Sequence, residues 1–218
     1  MTEQSTSLPL PVNGNDAQDD PRSDFPRFRP ATPGPSFGPF VAAMRTLQDL
    51  AVSVDAPDEV LDAALAQAQS LVELLSPYQA GEGQAPAGRV MELPGRGNLL
   101  MPPWSIEQFD VDGVRATGVL RRYHLGGNGA AHGGVLPLVF DDNFGMVVFA
   151  AKRPISRTAY LHVNYRKVTP LNVPLVIEGR VDRVEGRKTY VAARLTEADG
   201  TLLADGEGLM VALLPGQP

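Results

Sequence analysis

A chain of 218 residues with 43% hydrophobic content suits one main domain with an appendage, and none of its apolar runs approaches the ~20 residues that cross a bilayer. Its net charge of −6 at pH 7 argues against general nucleic-acid binding, and the absence of cysteine removes disulfides, thiolate metal sites and a cysteine nucleophile. The first 30 residues show no basic stretch leading into an apolar core, so no secretory signal is expected and a cytoplasmic location is.

Residues 1–36 hold seven prolines among Ser, Asn, Asp, Gly and Gln. So few aliphatics cannot repay the entropy of ordering, and a disordered tail is expected there. Phe37, Phe40, Val41, Met44, Leu47, Leu50 and Ala51 then recur at helical spacing. A second helix is predicted after Asp55-Ala56-Pro57, with Asp55 as its cap and Pro57 in its first turn. Val60, Leu61, Ala64, Leu65, Ala68, Leu71, Val72 and Leu75 line one of its faces. Together these predict a helical hairpin over 37–77 whose stripe packs on the main domain, on a sister subunit, or over the site as a lid. The Gly- and Pro-rich residues 78–103 read as a linker.

Strands begin near Ser105. Glu107 to Asp112 and Gly113 to Arg122 alternate as a hairpin turning at Asp112-Gly113. A loop containing Gly126, Gly127, Asn128 and Gly129 leads to the run His132 to Gly145, His-Gly-Gly-Val-Leu-Pro-Leu-Val-Phe-Asp-Asp-Asn-Phe-Gly. That run is apolar all round, as in a helix buried on every side. Arg157 to Thr169, Val173 to Val184, Arg187 to Glu197 and Thr201 to Leu214 read as strands, with tight turns at Glu185-Gly186 and Asp199-Gly200. The order β-β-α-β-β-β predicts an α+β domain over 104–214: an antiparallel sheet curled around one long helix.

Asp141 and Asp142 interrupt the apolar run, and a carboxylate on a buried helix costs several kcal/mol unless it is paired or used. Adjacent residues on a helix point about 100° apart, so the two acids face different surroundings, and Asp142 is expected in a salt bridge or an interface. Gly133 and Gly134 open the same helix. Without side chains they let a ligand reach backbone amides at a helix N-terminus, where negative charge is favoured. Between Arg121 and Tyr190 there are eleven basic residues against five acidic ones, a local positive field that suits a small phosphorylated ligand. His124, His132 and His162 lack metal-ligand spacing, and no metal or other cofactor is expected.

Three blocks carry a family resemblance: Ala131-His132-Gly133-Gly134 with Asp141 nine residues after the histidine, Thr158-Ala159-Tyr160-Leu161-His162-Val163-Asn164-Tyr165-Arg166, and Val184-Glu185-Gly186-Arg187-Lys188. With them, residues 104–214 are similar to the hotdog-fold acyl-CoA thioesterases of the His-Gly-Gly group, which includes the phenylacetate-pathway thioesterases and mammalian thioesterase superfamily members four and five. The resemblance implies hydrolysis of an acyl-CoA by a homodimer or homotetramer, with the site built between subunits. It implies that Gly133 and Gly134 bind the thioester oxyanion, that Asp141 is general base or nucleophile, and that His132 orients the carbonyl or shapes the turn. Thr158 takes the family position of a hydroxyl near the acid. Asn164, Arg166, Arg187 and Lys188 take those that contact the nucleotide end of CoA. Asn128 is a further CoA-contact candidate, although the corresponding asparagine of several relatives stands further from the histidine. Asp141 lies roughly 11 Å along the helix from Gly134 at ~1.5 Å per residue, so it suits a thioester held at another subunit's helix start. Two other readings remain: a non-catalytic acyl-CoA-binding protein, and a hydratase or dehydratase, of whose Asp-x-Asn-Pro-x-His signature Asp141-Asp142-Asn143 is only a partial echo.

Overall fold

The computed structural model describes residues 29–216, so the tail expected over 1–36 lies largely outside the described residues. Helices α1 (Phe37–Ala51) and α2 (Asp58–Leu75) come first. Strands β1 (Ser105–Asp110) and β2 (Gly113–Gly118) follow, then the short strands β3 (Leu125–Gly127) and β4 (Ala130–Ala131) and the central helix α3 (Val135–Ala150). Strands β5 (Ser156–Tyr165), β6 (Leu175–Glu185), β7 (Lys188–Glu197) and β8 (Leu202–Ala212) complete the chain. Six strands form one antiparallel sheet in the order β1-β2-β6-β7-β8-β5. The sequence pattern hid β3 and β4, which make a separate small hairpin inside the glycine-rich loop.

The sheet curls around α3 as expected, and the helix buries Leu136, Val139, Phe140, Phe144, Val147 and Val148 against it. Full burial of a phenylalanine contributes about 1.5–3 kcal/mol, and Phe140 and Phe144 are both completely enclosed. Their seats are cut by glycine: a Cβ at Gly206 would stand 2.8 Å from Phe140, and one at Gly208 would stand 2.8 Å from Phe144. Burial on every side is, however, corrected by the structure. Gly134, Asp141 and Gly145 are exposed, and their spacing of seven and four residues puts them on one line along α3. The reason is that β1 and β5 are the two edges of an open sheet and do not meet around the helix.

Helix α1 is tied to this domain by two polar side chains one turn apart. Buried Arg45 donates to the carbonyls of Asn98 at 2.7 Å, Met101 at 2.8 Å and Pro94 at 3.3 Å, holding the stretch that precedes β1. Asp49 accepts from Arg121 Nε at 2.6 Å and from the Tyr123 amide at 2.9 Å, holding the turn that precedes β3. Helix α2 differs, for it buries no residue and its stripe stays exposed. Its start also departs from expectation. Pro57 occupies the cap position with no side-chain cap, and the negative charge of the first turn comes from Asp58 and Glu59.

His124 closes the Asp49-held turn. Its Nδ1 accepts from the Arg121 amide at 2.9 Å, and its carbonyl accepts from the His132 amide at 2.7 Å, so it links the turn to the glycine pair. Burial pushes the imidazole pKa below the ordinary histidine value, against the opposing pull of Asp49. The folded chain therefore binds fewer protons at this group than the unfolded chain does, and stability is lost as pH falls below about 6.5 toward the depressed folded value. Thermal unfolding followed from pH 7.5 to 5 should show that loss, and His124→Asn should remove this component of the pH dependence.

Candidate active site

The uncovered line of α3 is where the expected chemistry meets the surface. Asp141 Oδ1 accepts a hydrogen bond of 2.7 Å from the Thr158 hydroxyl. Thr158 reaches the helix from β5 beside a bulge, where the β5–β8 register shifts between Thr158 and Tyr160. An extra residue in an edge strand re-aims the side chains next to it. Asp142, about 100° round the helix, faces away and is paired. Arg96 NH2 and NH1 donate to its two oxygens at 2.5 and 2.9 Å. Arg96 makes that pair from a left-handed backbone at φ 54°, a conformation costing about 1–2 kcal/mol for a residue with a Cβ.

The glycine pair sits at the start of the same line. Gly134 is the helix cap with φ −70° and ψ −14°, a conformation open to any residue. A Cβ at Gly133 would find no neighbour nearer than the Tyr165 ring at 4.0 Å. Neither a left-handed backbone nor crowding within the described residues requires glycine at 133. The two amides are not equivalent. The Gly134 amide donates to His132 Nδ1 at 3.0 Å, whereas the Gly133 amide has no hydrogen-bond partner among the described residues. The Tyr165 hydroxyl donates to the Gly133 carbonyl at 2.7 Å and fixes the loop from β5. The bond from Gly134 holds the His132 ring against the cap amide.

Asn128 stands at the tip of the β3–β4 hairpin. With Asn128 at φ 49° and Gly129 at φ 75° the pair forms the two-residue turn that asparagine-glycine favours, and Asn128 is exposed.

The four remaining residues expected at the nucleotide end fall into two groups. Asn164 Nδ2 donates to Asp205 Oδ1 at 2.8 Å, and Arg166 Nε donates to Asp205 Oδ2 at 2.5 Å. Arg166 holds the Asp205 carboxyl below the usual aspartate range. At the other end of the sheet, Arg187 NH1 donates to the Ala212 carbonyl at 2.8 Å, and exposed Lys188 lies in register with Val211, itself opposite Arg157. Asn164 pairs with Asp205 seven residues further along β5, about 23 Å at ~3.3 Å per residue. A single chain does not bring the two groups together.

Sequence reading missed Arg96, Asp205, Arg45, Asp49 and Tyr165 as partners. Asp205 alone left a signal, since any β5–β8 pairing in this register sets an acid beside Asn164 and Arg166. Among the described residues no helix is long and apolar enough to cross a membrane, and no cluster of histidine and acids has the makings of a metal site.

Residues 128–204 match the sequence model of the family described as the thioesterase superfamily. Acyl-coenzyme A thioesterase THEM4 of Rattus norvegicus is 33% identical over 97 residues, which are 44% of this chain and 41% of that protein. The Bos taurus protein of the same name is 31% identical over 94 residues, 43% of this chain and 38% of that one. The chain therefore spans about two fifths of the length of these curated relatives. A crystal structure of a thioesterase superfamily protein superimposes with a TM-score of 0.72 at 27% identity, covering 83% of this chain and 97% of that one. That share is larger than the sheet and α3 together, so the likeness extends into the chain before β1.

Proposed function

We propose, from the match of residues 128–204 to the sequence model of the thioesterase superfamily, that this chain hydrolyses acyl-CoA thioesters at a site shared by two copies. The observation that carries the reading is Asp141, held by Thr158 at 2.7 Å on the one exposed line of an otherwise enclosed apolar helix. A carboxylate in that place has no packing role and faces outward. Its neighbour β5 is a ten-residue edge strand, whose unpaired backbone groups favour pairing with another strand. Joining two β5 edges antiparallel about a two-fold axis reverses one against the other. Asp141 of one copy then turns toward the helix start of the other. The same rotation turns the Arg187 and Lys188 end of one copy's sheet toward the Asn164 and Arg166 end of the second, which supports a nucleotide end drawn from both copies.

In this arrangement the thioester carbonyl points at the free Gly133 amide, with the Gly134 amide and the His132 ring beside it. Asp141 of the other copy takes a proton from water as the oxygen attacks the carbonyl carbon, and the charge that develops on the carbonyl oxygen is held at the helix start. The carbon–sulfur bond then breaks, the thiolate of CoA leaves with the proton returned from Asp141, and the free acid remains. Thr158 holds the carboxylate by Oδ1, which leaves Oδ2 for the water. At the nucleotide end, the guanidinium groups of Arg166 and Arg187 suit phosphate oxygens, and Lys188 adds a point charge. Arg166 arrives there already oriented by Asp205.

Asp141→Asn should lower turnover of an acyl-CoA at least a hundredfold, within the ~10²–10⁴ usual for a proton-transfer group, with unchanged circular dichroism; retained turnover rejects the assignment. Reversing Arg187 and Lys188 to glutamate should raise KM for acyl-CoA far more than it lowers kcat in steady-state assays, and an unchanged KM would leave the pair as surface charge.

A further inference from the structure

Two consecutive glycines give the start of α3 wide conformational freedom, whereas amides that stabilise a developing charge act best when they are held in place beforehand. The first peptide of the pair, joining His132 to Gly133, is held from within the helix start, since the His132 carbonyl accepts from the Val135 amide at 2.9 Å. The second, joining Gly133 to Gly134, has no such bond. In an α-helix a carbonyl accepts from the amide four residues on, and four residues after Gly133 stands Pro137, which has no N–H. Among the described residues no other backbone amide donates to the Gly133 carbonyl. The Tyr165 hydroxyl does so instead, at 2.7 Å. Because a peptide group is planar, a bond that fixes the Gly133 carbonyl also fixes the Gly134 N–H on the far side of the same group. That N–H donates to His132 Nδ1 at 3.0 Å, so the peptide is tied at both ends.

The reach of Tyr165 depends on the bulge in β5. Thr158 and Tyr165 are seven residues apart, which in a regular strand puts them on opposite faces. Between Thr158 and Tyr160, however, β5 advances two residues while β8 advances one, from Met210 to Leu209. That extra residue brings the two side chains onto one face. Leu161 and Val163 pack against the core, and the same alternation carries Tyr165 to the helix start while Thr158 meets Asp141. One edge strand thus holds both the acid and the glycine peptide. We propose that Tyr165 is a positioning residue for thioester hydrolysis: its hydroxyl replaces the amide that Pro137 lacks and sets the peptide between Gly133 and Gly134 beside the developing charge. The proposal rests on the catalytic reading of the helix start and adds a residue to it.

The test uses the full chain. Tyr165→Phe keeps the ring and removes the hydroxyl, and at 55% exposure the side chain is not part of the core. In steady-state assays with an acyl-CoA that the wild type hydrolyses, kcat should fall about three- to tenfold, as expected for one lost hydrogen bond, with KM unchanged. Adding Pro137→Ala returns an N–H four residues after Gly133 and should recover most of the lost kcat, a recovery that a general loss of packing would not show. Equal kcat in Tyr165→Phe and wild type, or a double variant no faster than Tyr165→Phe, overturns the proposal and leaves hydrolysis itself standing. A wild type that hydrolyses no acyl-CoA instead strikes the catalytic reading, and the positioning role with it.

Discussion

An apolar helix and an open six-stranded sheet cannot enclose one another completely, and the rest of this molecule follows from the strip left over. Strands β1 and β5 form the two edges of the sheet, so α3 is wrapped over most of its circumference and bare along one line. The covered side is fixed by Phe140 and Phe144 seated against Gly206 and Gly208. Overfilling those seats costs about 1–3 kcal/mol. With the helix locked in rotation, the identity of the uncovered residues is locked as well: Gly134, Asp141 and Gly145. One line therefore presents a cap with little side-chain bulk at one end and a carboxylate two turns on. Their separation exceeds what one small acyl carbonyl spans, and the reading of a shared site rests on that geometry.

The chain before β1 works as a brace on this helix. Arg45 and Asp49, one turn apart on α1, grip loops on two sides of it. Arg45 gathers the stretch that carries Arg96 to Asp142, which pins α3 near its middle. Asp49 gathers the turn that leads through His124 to His132 and the glycines. Two short polar paths thus join α1 to the elements around the candidate site, and α1 belongs structurally with the sheet. Helix α2 does not share that role, since none of its residues is buried.

Most of the sheet and the central helix were legible in the sequence because their residues alternate or run apolar between turns marked Asp-Gly and Glu-Gly. The bare line along α3 was not legible. Glycines at 134 and 145 do not register as a polar face, and an apolar run with two acids reads as burial on all sides. The partner of Asp142 was equally hidden. Arg96 lies among glycines and prolines with no period to place it, and it reaches the helix only through a left-handed backbone at φ 54° held beneath Arg45. Arg45 and Asp49 themselves, four apart on a helix, look like an ordinary solvated pair. Asn128 was legible as a motif position, yet its place at a two-residue turn gives it a conformational reason to be there. The residues expected at the nucleotide end fall into two groups in one chain, since strand register, which single-chain periodicity leaves open, separates them by most of the length of β5.

A mixed-subunit experiment tests the shared site most directly. Asp141→Asn keeps a glycine-bearing helix start and lacks the base, whereas Gly133→Phe keeps the base and blocks approach to the helix start at a position where the fold has room for a side chain. If one site takes its acid from one copy and its amide from another, unfolding and refolding the two inactive variants together restores about a quarter of the wild-type rate, because half of the assemblies are mixed and each has one intact site. If each chain carries a complete site of its own, the mixture stays as inactive as its parts, and the account is wrong.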